Sequence, residues 1–235
     1  MNVLIVTPTY NERDNLPLLI AGILAHDGAR VLVVDDGSPD GTGAIADQLA
    51  RDHPGRIEVM HRTGPRGLGR SYVDGLQHAI AEGRAEFICQ MDADLSHNPE
   101  YLPDLIAAAA TQDLVIGSRY LHGVSVVNWP LHRIFLSAFG NRYIRFITSL
   151  STSDCTSGYR CWRREALGRM PIANMVSDGY SFLVEMLFEA KRRGLRIGEV
   201  PIIFIERRQG QSKLSSNVLM ESLIMPWRLV LRSRF

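Results

Sequence analysis

The chain has 235 residues, 46% of them hydrophobic, and a formal net charge of +1. That length and apolar content suit the core of one large domain or two small ones, and the even charge balance gives no support for a nucleic-acid partner. Cys89, Cys155 and Cys161 are odd in number and lack metal-ligand spacing, which fits a reducing, cytoplasmic setting.

Met1 leads directly into a strand-like run, Val3–Val6, with no basic stretch or small-residue cleavage site, so no signal peptide is expected. Asn15–Leu24 follows as a helix with Leu16, Leu19, Ile20 and Ile23 on one face. Val31–Val34 is a second strand, and Ser38, Pro39 and Asp40 open the next helix. Ile57–Met60, Phe87–Met91 and Leu114–Ile116 complete the strands, with helices around Ser71–Ala81 and Glu100–Ala110 between them. Apolar strands alternating with helices predict an α/β fold whose mostly parallel sheet is covered on both faces. The pattern then changes. "WPLHRIFLSAFGNRYIRFITSL" is aromatic-rich and amphipathic, and reads either as core-facing helix or as a helix lying in a lipid interface. "DGYSFLVEMLFEAKRRG" is a helix ending at Gly194, followed by a late strand and a basic loop. No run reaches the ~18 uninterrupted apolar residues of a membrane span. The nearest, "VLMESLIMPWRLVL", is broken by Glu221, Pro226 and Arg228. With no repeat or linker, residues 1–235 read as one domain.

Ligands of such sheets gather at the carboxyl ends of the strands. Polar motifs stand at those places: "TPTYNE", "DDGSPDGT", "DADLSH" and "GSRY". Residues two apart in a strand point the same way, so Asp92 and Asp94 can aim at one point, where a divalent cation turns their repulsion into attraction. Mg²⁺ is typically held by one or two carboxylates, with substrate phosphates and water completing its shell; the plain alternative is a solvated acidic turn. In "DDGSPDGT", Gly37 and Gly41 let backbone approach a ligand, and Asp35 and Asp36 can accept from a ribose or base edge, while Asp40 suits a helix cap. "GLGR" (Gly67–Arg70) lacks a full phosphate-loop spacing and reads as a loop-to-helix junction. His97 reads as the end of the acidic loop. The basic residues crowd the second half: between Arg119 and Arg164 Asp154 is the only acid, and beyond Arg207 only Glu221 is. Such patches fit an anionic ligand, an anionic membrane surface or both. Arg119, Arg133, Arg207 and Lys213 are candidate phosphate ligands there, since arginine's planar fork matches phosphate bidentately.

These motifs in this order resemble the inverting GT-A glycosyltransferases of family 2, most closely the polyprenol-phosphate (dolichol-phosphate) mannosyltransferases. The likeness runs through "PTYNE", "DDGSPDGT", "GLG", "DADLSH", "GSRY", "DCTSGYR", "GYSF" and the terminal "SKL". It implies metal-dependent inverting transfer of mannose from GDP-mannose to a polyprenyl monophosphate, by a protein peripheral to the cytoplasmic face of the membrane. It also implies Mg²⁺ or Mn²⁺ as cofactor and leaves room for a membrane-anchoring protein partner. Residues 1–118 would be the nucleotide-sugar half and 119–235 the acceptor half. Pro8, Tyr10, Glu12, Val34 and Asp36 would line the nucleotide pocket, and Asp92, Ala93 and Asp94 would hold the metal and sugar diphosphate. Arg119, Arg207 and Lys213 would face phosphates; Arg119, Arg133, Ser137 and Arg207 fall at acceptor-phosphate positions. Asp92, Asp94, Arg119 and Arg207 would carry the catalysis. The alternative within the family is another nucleotide sugar, such as UDP-glucose, or a hydroxyl acceptor with Asp154 as base. With a lipid phosphate, Asp154 instead orients Arg160 or Tyr159, or contacts the sugar. The chain departs from relatives at Leu183, where glutamine is frequent, at Arg70, where a small residue is usual, and at Ser96, where some members supply a glutamine to the metal.

Overall fold

A computed structural model describes residues 2–175, 177, 179–205 and 216–232. Its first half follows the expected alternation. The strands are β1 (Val3–Thr9), β2 (Ala29–Asp35), β3 (Ile57–His61), β4 (Phe87–Gln90) and β5 (Leu114–Ser118). Between them lie α1 (Leu16–Leu24), α2 (Thr42–Asp52), α3 (Leu68–Glu82) and α4 (Leu102–Ala109). The second half adds β6 (Val126–Val127), α5 (Leu131–Thr148), β7 (Arg160–Arg163), α6 (Arg164–Gly168), α7 (Gly179–Arg192), β8 (Ile197–Pro201), β9 (Phe204–Ile205) and α8 (Ser216–Arg232).

Seven strands form one sheet in the order β3-β2-β1-β4-β7-β5-β8. All neighbours pair in parallel except β7, which lies antiparallel between β4 and β5. Every residue of β1 is buried, as expected for a central strand covered on both faces. The two-residue period divides the strands between two cores. Leu4, Val6, Leu32, Ile88, Ile116 and Trp162 meet Tyr72 and Leu76 of α3 and Phe182 and Leu187 of α7. Val3, Ile5, Val31, Val33 and Cys89 meet α1 and α4 on the other side. α3 sits so close that a Cβ on Gly75 would lie 2.6 Å from Val6 Cγ1.

Two features depart from the sequence reading. "RCWR" is a central antiparallel strand, which its flanking arginines hide. The late strand is split: β8 closes the main sheet, and β9 pairs in parallel with β6 in a separate small sheet. α5 does not behave as the core-facing helix that is one reading of the amphipathic segment. Asn141, Ile144 and Thr148 are its buried residues, whereas Phe135, Phe139 and Phe146 are 71%, 65% and 82% exposed. Its apolar stripe faces outward, with Arg142 and Arg145 exposed beside it. α8 packs against it: Tyr143 donates to the Leu223 carbonyl (2.8 Å) and accepts from Trp227 Nε1 (2.9 Å). Leu223, Ile224, Trp227 and Leu231 extend the exposed apolar surface. Among the described residues, no helix is long and apolar enough to cross a membrane.

Candidate active site

The loops after β1, β2, β4 and β5 converge on a cavity of about 640 Å³. Pro8, Tyr10, Glu12, Asp36, Asp92, Ala93, Asp94, Arg119 and Arg133 all line it. Val34 does not: its side chain is fully buried in the sheet-α3 core. The reason is strand alternation, which turns Val34 under α3. Ser137 lies off the cavity wall, where it accepts a hydrogen bond from Tyr120 (2.7 Å). Arg207 and Lys213 fall outside the described residues.

One end is acidic. Asp92 Oδ1 accepts from the buried hydroxyl of Tyr72 (2.8 Å), which packs parallel to Phe182. Burial and then the Asp92 carboxylate push the Tyr72 phenol far above its usual pKa, so it remains a donor. The Asp92 N–H donates to His97 Nδ1 (3.0 Å), which puts the imidazole proton on Nε2, 4.0 Å from Asp92 Oδ2. His97 is therefore a working part of this loop, not merely its end. It is 2% exposed and packs against Tyr159 at 5.0 Å. Asp94 Oδ1 accepts from both the N–H and the hydroxyl of Ser96. Leu95 between them has φ +62°, a conformation uncommon for a residue with a branched side chain. Gly158 faces this loop, and a Cβ there would stand 3.2 Å from Asp92 Oδ2. The missing side chain leaves room at that oxygen. Two hard oxygen donors beside an open pocket fit a Mg²⁺-like cation whose shell is completed by phosphate and water. No third His, Cys, Asp or Glu among the described residues joins them in a closed cage.

The adjoining wall is built by the loops after β2 and β3. Asp36 accepts from Arg62 and from the Gly67 N–H (2.8 Å) at the start of α3. Asp35 bonds Ser38 and Thr9 instead and does not line the cavity. Asp40 takes the Thr42 N–H (3.0 Å), as a helix-start residue should. Arg66, unremarked in the sequence, stacks over Tyr10 at 5.0 Å and donates to its hydroxyl. Leu183 brings an apolar side chain to the wall.

The other end is cationic. Arg119 is 6% exposed and forms a two-pronged ion pair with Asp154, Nε to Oδ2 at 2.6 Å and Nη2 to Oδ1 at 2.7 Å. Asp154 also accepts from the N–H groups of Arg119 and Thr156. Burial opposes its charge, but the Arg119 guanidinium outweighs burial and holds its carboxyl below the usual carboxylate range. The same pairing raises the Arg119 pKa despite burial. Asp154 is placed by Glu199 of β8, which accepts from the N–H groups of Ser153 (2.8 Å) and Asp154 (3.2 Å). Two of the three roles the sequence offered Asp154 do not match its surroundings. It is fully buried, so it is badly placed to take a proton from an acceptor. It makes no hydrogen bond to Arg160 or Tyr159: Arg160 donates to the Ser157 and Cys155 carbonyls, and Tyr159 to that of Asn98, although the Asp154 charge favours the Arg160 cation. Arg160 lies buried nearby, its pKa drawn down by burial to about 10. Arg133, Trp129 and Phe204 complete this end of the cavity. The two aromatic residues went unnoticed in the sequence because only the β6–β9 pairing brings them together.

The glycosyl transferase family 2 model matches residues 4–170. Polyprenol monophosphomannose synthase of Mycolicibacterium smegmatis is 45% identical over 222 residues, spanning 94% of this chain and 83% of that protein. Undecaprenyl-phosphate mannosyltransferase of Micrococcus luteus is 43% identical over 236 residues, spanning 100% of this chain and 96% of that protein. Glucosyl-3-phosphoglycerate synthase of Mycobacterium tuberculosis, crystallised with Mn²⁺, UDP and glucosyl-3-phosphoglycerate, matches with a TM-score of 0.70 at 18% identity. That likeness covers 98% of this chain and 79% of that one. At this identity the likeness concerns the fold, a mostly parallel GT-A sheet.

Proposed function

The chain belongs to glycosyltransferase family 2, and from that premise we propose that it transfers mannose from GDP-mannose to a polyprenyl monophosphate. The observation that carries the reading is the state of Asp154, spent on Arg119 at the cationic end of the cavity. A hydroxyl acceptor needs a general base there. A lipid phosphate does not, because its oxygen is already an anion near neutral pH; it needs cations to position it. Arg119 and Arg133 are such cations. The 43–45% identical relatives named for polyprenol and undecaprenyl phosphate support the same acceptor.

The donor would lie along the acidic end. Asp92 and Asp94 would hold Mg²⁺ or Mn²⁺, which when bound neutralises charge on the departing diphosphate. Tyr72 and Ser96 donate to the two carboxylates, and His97 accepts from the Asp92 N–H. Pro8, Tyr10, Glu12 and Asp36 would receive the nucleoside. Arg119, its Nε and Nη2 bound to Asp154, would steer the acceptor phosphate toward the anomeric carbon from the face opposite the diphosphate, giving inversion. Arg207 and Lys213 would add charge to the phosphates. The outward apolar face of α5 and α8, with Arg142 and Arg145, supports peripheral attachment to an anionic membrane surface. A polyprenyl chain leaves a bilayer at a cost of ~0.8 kcal/mol per CH₂, so the enzyme goes to the lipid. We place it on the cytoplasmic face, where a membrane-anchoring partner protein has room to join it.

The test is transfer of radiolabel from GDP-mannose, UDP-glucose and other donors to polyprenyl phosphate or to polyprenol lacking the phosphate. Label entering the phosphate lipid from GDP-mannose, and abolished by EDTA, is the expected result. Equal labelling of polyprenol would overturn the acceptor, and preference for a uridine donor would overturn the sugar nucleotide.

A further inference from the structure

We propose that Asn141 is a positioning residue that ties the membrane-facing helix to the transfer site, so that seating α5 on a lipid surface sets the 152–158 loop. The proposal rests on the reading of α5 as the helix that meets the membrane. None of residues 131–140 is buried, and the buried side of α5 begins only at Asn141, followed by Ile144 and Thr148. Asn141 is 4% exposed, and standing two residues on from Phe139 it occupies the opposite side of the helix. Asparagine is a weak helix former because its amide competes with the backbone, and a buried amide needs partners. Here the oxygen finds one outside the helix. Asn141 Oδ1 accepts the Cys155 N–H (2.7 Å), one residue beyond Asp154. Its Nδ2 donates to the Ser137 carbonyl (3.1 Å) and reaches Thr156 Oγ1 at 3.5 Å.

What the loop holds gives this contact its consequence. Asp154 and Thr156 flank Cys155; Asp154 carries the Arg119 ion pair, and Thr156 Oγ1 accepts from Arg119 Nη2 (2.8 Å). Thr156, Ser157 and Gly158 line the cavity, and Gly158 stands against Asp92 Oδ2. One turn before Asn141, Ser137 accepts from Tyr120, the residue after Arg119. The far end of α5 is held by the protein itself, where Lys191 of α7 donates to the carbonyls of Thr148 (3.1 Å) and Ser149 (2.5 Å). The near half, with Leu131, Phe135 and Phe139 exposed, gains a seat where a bilayer covers it. A segment with few buried apolar contacts lies at the low end of local stability, so a surface that covers this half orders it. The Asn141–Cys155 hydrogen bond carries that order to the loop.

The test measures transfer from GDP-mannose to a short, water-soluble prenyl phosphate, with and without vesicles of mixed phosphatidylglycerol and phosphatidylcholine. Vesicles should raise the wild-type rate about tenfold. Asn141→Leu keeps the bulk and removes both hydrogen-bonding atoms. Vesicles should raise its rate by less than about twofold, although it sediments with them as the wild type does. Phe135→Ser combined with Phe139→Ser should lose sedimentation and stimulation together. Should Asn141→Leu not fold, Asn141→Ala gives the same readout. Stimulation of the Asn141 variant equal to that of the wild type, which a merely structural loss would leave intact, would overturn the proposal, as would loss of its sedimentation. A wild-type enzyme that sediments but is not stimulated overturns the proposal alone; one that does not sediment sinks the membrane reading as well.

Discussion

Asp154 is 0% exposed and shares its charge with a guanidinium that is itself nearly buried. Removing one partner of such a pair leaves the other as an uncompensated buried charge, which costs about 3–5 kcal/mol. Asp154→Asn should therefore unfold at markedly lower urea, whatever it does to turnover. The pH dependence has a definite sign. The folded pKa is depressed below the ordinary value of 3.8, so the carboxylate's contribution is complete above that value and fades as pH falls through the folded one. Urea unfolding of wild type and Asp154→Asn should differ by a constant amount from neutral pH down to about pH 5, and converge in strong acid. A gap unchanged down to about pH 2 would mean the ion pair is not its source. Single residues were unevenly legible in the sequence. Asp36, Asp92, Asp94 and Arg119 stood out because a charge beside a strand end has few structural uses; Tyr10 was named through the resemblance, and Arg133 as one of the crowded basic residues of the second half. Val34 was named through the resemblance alone, and its side chain points beneath α3. His97, Arg66, Trp129 and Phe204 escaped because their roles come from partners 5 to 75 or more positions away, such as Trp129 against Phe204 and Arg66 against Tyr10.

Among the elements, α5 carries the sharpest consequence. A water-soluble helix ordinarily turns its large apolar residues inward, and this one leaves Leu131, Phe135, Phe139 and Phe146 between 65% and 82% exposed. An anionic bilayer is a surface that can cover them while Arg142 and Arg145 meet lipid phosphates. Burying one phenylalanine contributes about 1.5–3 kcal/mol. Phe135→Ser combined with Phe139→Ser should thus weaken sedimentation with anionic vesicles by at least about a hundredfold, with the thermal midpoint unchanged. Undiminished vesicle binding by the double variant would remove α5 from the membrane contact. The elements of the first half were readable because apolar strands and amphipathic helices differ in period. β7 was not, since a four-residue strand flanked by arginines has no period to detect, and its antiparallel insertion is decided by β4 and β5 on either side.

The molecule as a unit joins an acidic end, supplied by β1, β2 and β4, to a cationic end supplied by β5, the loop before β7 and the start of α5. Neither end performs transfer alone. A diphosphate needs its charge met as it departs, and a lipid phosphate needs to be held in line with the anomeric carbon. Antiparallel β7 is what brings them together, because it returns the 152–158 loop to the carboxyl ends of β4 and β5. All of this presumes that the two carboxylates after β4 meet a cation shared with the donor. Diffraction at the manganese edge from crystals grown with Mn²⁺ and GDP measures that. An anomalous peak within coordinating distance of Asp92, Asp94 and the diphosphate is the expected result. A diphosphate bound in the cavity with no such peak, Asp92 still on Tyr72 and Asp94 still on Ser96, would contradict it.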